Sequence, residues 1–375
     1  MIEIKQVGSK KDLKAFARFA VDVLYRDCKL YVPSLYADEL SVLNPKKNFS
    51  LEHCEVRCFL AYKDGKIAGR IAGIVQNKYN EISGRKCIRF SRFDCIDDAE
   101  VAKALLAAVE AFGKEKGMDT MHGPWGFNDQ DREGLLTYGF DRRATYVTNY
   151  NYEYYEKLVK GNGFTDESEW LEYDFTVPEE VDERISRISE RIKEKLGVRD
   201  FAESMSMKKM VKEYGYEAIE MTNAAYASLD CYVPVEGREV ENIFQQFVTI
   251  INPRYFSLLV NRDDEVVGMG VILPSVANAL IKSRGRLFPF GIFRLLHAIS
   301  RPDELEMALI AVRPDYQKLG VNSLMIARIM KNIIEDGIHK IESNPELVSN
   351  VAVQSQWTSL ERRVIKRRKT FVKQI

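Results

Sequence analysis

The sequence predicts an α/β protein in which one order of elements occurs twice. Its 375 residues exceed what one ordinary hydrophobic core organises, so two domains are expected. Two hairpins compare directly. Residues 59–75 (FLAYKDGKIAGRIAGIV) and 257–273 (SLLVNRDDEVVGMGVIL) share an aliphatic strand, a charged turn, an aliphatic pair and a glycine, with Gly69 opposite Gly268. Around each hairpin the plan repeats: two helical stretches before it, then strand, helix and strand after it.

In the first half, residues 2–7 alternate as a short strand. Ser9 caps a helix whose apolar positions Leu13, Phe16, Phe19, Ala20 and Leu24 recur at three and four. Tyr31-Val32-Pro33 breaks it, residues 35–42 are weakly helical, and Asn44-Pro45 turns the chain. The hairpin strands are 56–62 and 67–75. A short strand at 90–93 leads to a helix over 97–116, where Val101, Leu105, Ala108, Val109 and Phe112 share a face. A strand starts over 118–123, a helix is expected over 150–158, and a strand over 170–177 stops at Pro178. The charged stretch EEVDERISRISERIKEKL then reads as a connector helix with a narrow seam of Val181, Ile185, Ile188 and Ile192.

The second half has a strand at 198–202, helices over 207–227 and 240–251, and hairpin strands 256–260 and 266–273. An apolar strand over 307–312 is stopped by Pro314, and a helix with Leu324, Ile326, Ile329, Ile333 and Ile334 follows. The chain therefore divides into residues 1–177, a connector 178–197, and residues 198–375. Between the second hairpin and the 307–312 strand lies an apolar insertion, residues 274–299, carrying Lys282, Arg284, Arg286 and Arg294. It reads as a cover for a hydrophobic chain or acceptor, as a basic arm toward phosphates, or as an amphipathic surface between copies.

Hydrophobic content of 46% and charged content of 29% describe a soluble globular chain. Lys plus Arg and Asp plus Glu both total 55, which argues against nucleic acid or an anionic membrane as a partner. No apolar run approaches the ~18 residues of a membrane span. The stretch MIEIKQVGSKKDLK lacks the pattern of a secretory signal. Six cysteines form no CxxC pair, and four histidines are scattered, so reduced thiols in a cytoplasm and no metal site are expected.

The loop between the 307–312 strand and its helix runs Gln317-Lys318-Leu319-Gly320-Val321-Asn322. A helix N-terminus presents unpaired N–H groups and a partial positive charge, which suits an anion, and Gly320 lets the backbone approach it. The pattern V-x-P-x-x-Q-x-x-G-x-N resembles the coenzyme-A pyrophosphate loop of the GNAT (N-acetyltransferase-like) superfamily, usually [Q/R]-x-x-G-x-[G/A]. Gln317 and Gly320 match, and Asn322 departs from the last position. The twice-repeated order of elements is also that of the superfamily. Nearly the whole chain is similar to a group of tandem-GNAT bacterial proteins, through Tyr31-Val32-Pro33, residues 64–74, His122-Gly123-Pro124, Gly126-Phe127-Asn128, Gly134-Leu135-Leu136, residues 149–155, Gly163-Phe164, and residues 342–350 and 368–373.

That resemblance implies two tandem GNAT-like domains, each a mixed, mostly antiparallel twisted sheet flanked by helices. It implies transfer of an acyl group, acetyl by default, from acetyl-CoA or another acyl-CoA to a small-molecule or amine acceptor. The cofactor positions it implies are Ala311 and Val312, whose strand offers N–H groups to the thioester, then Arg313, Gln317, Lys318, Leu319, Gly320, Val321 and Asn322. Glu306 and Glu304 alternate to one face of that strand, where the superfamily often places a base. The superfamily often takes its acid from a tyrosine after the fifth strand. Here that region offers Trp357, with Ser355 and Ser359, so the thiolate is left to water, to a tyrosine of the other half, or to an inactive protein.

In the first half the matching junction is Cys95-Ile96-Asp97-Asp98-Ala99-Glu100, whose three carboxylates would repel a pyrophosphate. The first half then reads as a degenerate copy. Its Trp125, Phe127, Asn128, Tyr150, Asn151, Tyr152, Tyr154 and Tyr155 form either an acceptor pocket or, more simply, core. A non-catalytic CoA- or ligand-binding protein, and an aminoacyl- or peptidyl-transferring relative, are the alternatives to the acyltransferase. Oligomeric state stays open.

Overall fold

The computed structural model describes every residue except 129, 130, 203, 358 and 359, and the backbone alone of 246–249. The first half runs β1 (Ile2–Gln6), α1 (Lys10–Arg18) with a π-helical turn (Phe19–Leu24), α2 (Tyr36–Glu39), β2 (Cys54–Lys63), β3 (Lys66–Gln76), α3 (Asn77–Ser83), β4 (Cys87–Cys95), α4 (Ala99–Glu115), β5 (Thr120–Gly123), β6 (Leu135–Tyr138), α5 (Tyr154–Lys160) and β7 (Thr165–Thr176). The connector is α6 (Glu183–Leu196). The second half runs β8 (Arg199–Asp200), α7 (Met207–Tyr226), α8 (Arg238–Ile250), β9 (Phe256–Val260), β10 (Val266–Pro274), α9 (Ala277–Ser283), α10 (Gly291–Ser300), β11 (Leu305–Val312), α11 (Asn322–Glu335), β12 (Lys340–Glu342), β13 (Glu346–Leu347), α12 (Val351–Ser355) and β14 (Arg362–Gln374).

Local chemistry sets these elements. Ser9 and Asp12 form a capping box: Ser9 Oγ accepts from the Asp12 N–H at 3.1 Å, and the Asp12 carboxylate accepts from the Ser9 N–H at 3.3 Å. The turn between β2 and β3 has two consecutive positive φ angles, 51° at Asp64 and 78° at Gly65, which is the hairpin geometry a D-G pair favours. Helix α4 lies on β3 with Val101, Leu105, Val109 and Phe112 buried. Gly69 permits that approach, since a Cβ there would stand 2.7 Å from Leu105 Cδ1. In the second half Gly268 and Gly270 of β10 meet Met325 and Ile329 of α11 in the corresponding place.

Two expectations shrink. The helix expected over 150–158 is only Tyr154–Lys160. Asn151 holds the preceding residues out of it: its Oδ1 accepts from the Leu136 N–H at 2.7 Å and its Nδ2 donates to Leu136 O at 3.0 Å. The stretch 35–42 yields one helical turn, Tyr36–Glu39.

The strands form one sheet in the order β1-β2-β3-β4-β5-β14-β7-β12-β11-β10-β9-β8, with β6 beside β14 and β13 beside β7. The two runs of five, β1–β5 and β12–β8, are the same plan in mirror sequence. Between them lie the last strands of each half, exchanged: β14 pairs with β5, and β7 pairs with β12. Expected division at 177/198 follows the chain, but the strands do not keep to it. Each half's sheet is completed by the other's final strand.

The exchange is pinned by charge. Lys366 on β14 sits opposite Glu172 on β7, with Nζ 3.2 Å from Oε2, and also bonds Glu342 on β12. Arg368 Nε bonds the second oxygen of Glu172. Glu172, Lys366 and Arg368 are fully buried. Burial pushes the Glu172 carboxyl up, but Arg368 and Lys366 outweigh it and hold the pKa below the ordinary carboxylate value. Removing one member leaves an uncompensated buried charge. Glu172→Ala is therefore expected to cost roughly 3–5 kcal/mol by urea denaturation, and Glu172→Leu with Lys366→Met, Arg368→Met and Glu342→Gln to recover most of it.

Candidate active site

The site is built where two parallel strands part. β11 pairs with β12 only at Leu305↔Ile341 and Glu306↔Glu342. The chain then leaves β12 and returns as β13 beside β7. From Met307 onward β11 has an open edge. Ala308 O on that edge accepts from Asn344 Nδ2 at 3.0 Å, and Ile310 O accepts from the Tyr226 hydroxyl at 2.9 Å. Strand alternation turns the N–H groups of Ala308 and Ile310 the same way.

Beside this edge lies a cavity of about 390 Å³, bounded by α7, β10, β11, α11 and the segment after β12. Its wall is mainly apolar. Six of the eleven methionines line it: Met207, Met210, Met269, Met307, Met325 and Met330. Methionine is unbranched and adaptable, so such a wall accommodates flexible apolar chains without directional contacts. Trp170, Asp131 and Val147 of the first half also reach it.

Glu346 stands on this wall. It is 8% exposed, and its Oε2 has no hydrogen-bond partner among the described residues. Arg362 Nη1, also buried and without a hydrogen bond, is 3.9 Å away. Burial pushes the Glu346 carboxyl up to about 7, against the opposing pull of Arg362. A carboxyl titrating there can accept a proton near neutral pH.

The sequence-expected carboxylates lie elsewhere. Glu306 is buried, pushed up to about 7, and accepts from Ser275 Oγ and from the Tyr146 N–H at 3.0 Å. Glu304 bonds Lys340 at 2.6 Å and Arg143, and these cations hold it below its ordinary value although burial pushes it up. Neither lines the cavity. Both tie the start of β11 to the first half, whereas Glu346 stands on the cavity wall. Glu346 follows Pro345 in a short irregular segment, where no periodicity marks it.

The loop is formed as expected in outline. Lys318 and Gly320 have positive φ, 62° and 82°, and Gln317 Nε2 donates to Val312 O at 3.1 Å. Helix α11 begins at Asn322, with no side chain capping its first turn. Ala311 is buried and Val312 half-buried at the end of β11. Arg313 is already paired with Asp315 and Glu265, at 2.8 and 2.9 Å. Leu319 is exposed and Val321 buried. Gly320 meets the connector: a Cβ there would lie 2.7 Å from Ile192 Cδ1 of α6.

The matching helix of the first half differs in one respect. Asp98 caps α4, accepting from the N–H groups of Glu100 and Val101 at 3.0 and 3.2 Å, and pairs with Lys63. A carboxylate of the chain itself occupies that N-terminus. The aromatic set of the first half is mostly core: Tyr150 and Tyr155 are buried, and the Tyr155 hydroxyl bonds that of Tyr25 at 2.9 Å. Trp357, standing where a tyrosine was expected, is buried against Phe175 and lines the cavity. Ser355 is a half-turn from it, and Ser359 lies outside the described residues.

The raised Glu346 pKa has a stability consequence. In the unfolded chain it ionises near its ordinary value, so ionisation of the buried group costs the fold stability between about pH 4.5 and 7. Glu346→Gln is expected to raise the denaturation midpoint relative to the parent at pH 8 and to leave it nearly unchanged at pH 4.

Residues 221–354 match the model of the Acetyltransferase (GNAT) family. The chain is 26% identical over 383 aligned residues to Protein YghO of Escherichia coli, covering 98% of this chain and 94% of that protein. It is 26% identical over 298 residues to the bacterial ceramide synthase of Caulobacter vibrioides, covering 79% and 76%. Among solved structures, a tandem GNAT protein from the clavulanic acid biosynthesis pathway superposes over 100% of this chain and 98% of its own, with a TM-score of 0.58 at 9% identity. A GCN5-related N-acetyltransferase from Sphaerobacter thermophilus gives 0.51 at 11% identity, over 100% and 95%. At these identities the structures speak to fold, and the fold is a tandem GNAT fold.

Proposed function

We propose that this chain, in which residues 221–354 match the GNAT family model and whose fold is that of tandem GNAT proteins, is a long-chain acyl-CoA-dependent N-acyltransferase. The single observation that carries the acyl length is the methionine-lined cavity of about 390 Å³ beside the open edge of β11. An acetyl group would fill little of it. A pocket of this size and polarity suits an extended apolar chain. The name of the Caulobacter relative points the same way, since a ceramide is a long-chain amide.

In this reading the pyrophosphate takes the uncapped N-terminus of α11 with Gln317–Asn322, and Lys318 adds a free charge. The Ala308 and Ile310 N–H groups face the pantetheine and thioester. Glu346 takes the proton from the amine as nitrogen attacks the thioester carbon. The carbon–sulfur bond breaks, and the Tyr226 hydroxyl protonates the departing thiolate. The acceptor is an amine; a cytoplasmic setting suits this chemistry. The capped end of α4 and the end of α11 without a side-chain cap support an acyl-CoA role for the second half and a buttressing role for the first.

Three outcomes are expected. Long-chain acyl-CoA raises the melting temperature more than acetyl-CoA does, and Lys318→Glu weakens both shifts; no shift with any acyl-CoA would sink the reading. Thiol release with a long-chain amine falls roughly 10²–10⁴-fold in Glu346→Gln while the acyl-CoA shift is kept. Parental kcat/KM rises with pH through about 7, and that limb disappears in the variant. Shift without thiol release over an amine panel would favour a binding protein instead.

A further inference from the structure

The insertion between β10 and β11 is a rigid arm with an uncovered outer face. Between Pro274 and Pro302 the sequence holds Lys282, Arg284, Arg286, Arg294 and Arg301 and no Asp or Glu, in a chain of zero net charge. Its inner part is fixed to the first half. Arg284 and Arg286 pair with Asp22 at 3.1 and 3.0 Å, Gly285 O accepts from the Tyr36 N–H at 2.9 Å, and a Cβ on Gly285 would stand 2.2 Å from Ser34 O. Helix α10 packs Leu295 and Ile299 inward against a cluster that includes Val276, Ala277 and Leu280.

Its outer side is apolar as well. Phe288 is 80% exposed, Phe290 67%, Phe293 67% and Leu296 47%. Single chains rarely leave such an apolar patch in water. The cations not used in anchoring ring this patch: Lys282, Arg294 and Arg301 are exposed, and no ion pair of theirs occurs among the described residues. Phenylalanines projecting from a segment that carries cations and no carboxylate of its own match the boundary between headgroups and acyl chains of an anionic bilayer. No described helix is long and apolar enough to cross a membrane.

We infer that the 288–296 face, with Lys282, Arg294 and Arg301, docks this protein on an anionic lipid surface. The inference stands on the patch and its charge, independently of what the cavity binds. It revises the absence of a membrane partner expected from net charge, because the average hides a one-sided arm.

The test is vesicle flotation of the full chain with phosphatidylcholine alone and with added phosphatidylglycerol. The parent is expected to float with the anionic vesicles and to be released by high salt. Phe288→Ser with Phe290→Ser and Phe293→Ser should abolish flotation. Arg294→Glu with Arg301→Glu should reduce partitioning roughly ten-fold or more. All variants should keep the parental melting temperature, since the replaced side chains are exposed. A parent that does not float with anionic vesicles, or a serine variant that floats as well as the parent, overturns the proposal. So does a parent that is a dimer by sedimentation velocity, dissociated by the serine changes, with no vesicle binding. That outcome would assign the face to a second copy.

Discussion

The ion cluster of buried Glu172, Lys366 and Arg368 with half-buried Glu342 is the constraint on which the rest depends. It holds β14 against β7 at the point where each half has lent its last strand to the other. Hydrophobic packing alone would let two such strands slide, because a strand has similar apolar faces at every second residue. A fully buried carboxylate between a lysine and an arginine fixes the register, since a shifted pairing strands an ion in the core. The same lysine reaches Glu342 on β12, so the register of the exchange also sets the end of the β11–β12 ladder. The cavity opens just past that end.

Two halves with one plan have diverged at their helix N-termini. In each, a helix lies over a glycine-bearing hairpin strand, and its first turn points toward the end of the neighbouring strand. In the first half Asp98 supplies the anion from within, stabilising α4 by an ordinary cap. In the second half no side chain caps α11; the Ser323 and Leu324 N–H groups turn back to Gly320 O and Val321 O at 2.9 and 3.1 Å, and among the described residues the chain places no carboxylate at this end. Cap and ligand site are alternative uses of the same unpaired N–H groups.

The sequence displayed the fold well and the site unevenly. Duplicated hairpins, the Ser9 cap and the Pro314 stop reflect local rules, and each appears close to where periodicity put it; the connector seam does not, since Val181 precedes α6, Ile188 is exposed and Ser189 is the buried residue. Strand exchange was not legible, because a strand's partner is a non-local property and both β7 and β14 alternate in the ordinary way. The helix expected over 150–158 failed for a related reason: Asn151 is captured by the backbone of Leu136, fifteen residues away. Glu306 and Glu304 have the right spacing on the right strand. Strand periodicity tells which face a residue shares, but not which neighbour covers that face, and here Tyr146 and Arg143 of the other half do.

Glu346 shows how far the two themes are one. A carboxyl that titrates near neutrality must be removed from water without being fully neutralised by a partner, which is costly to arrange on a loose segment. Its short strand β13 is paired to β7, with Glu346 opposite Leu171. The cation nearest its free oxygen, Arg362, begins β14. Both exchanged strands therefore position the same carboxyl, one through backbone pairing and the other through charge. The second half has the cavity, the open strand edge and the uncapped helix, yet it cannot place this group by itself. The first half, with its own helix end capped by Asp98, remains necessary to this arrangement because it supplies the strand beside which Glu346 is held.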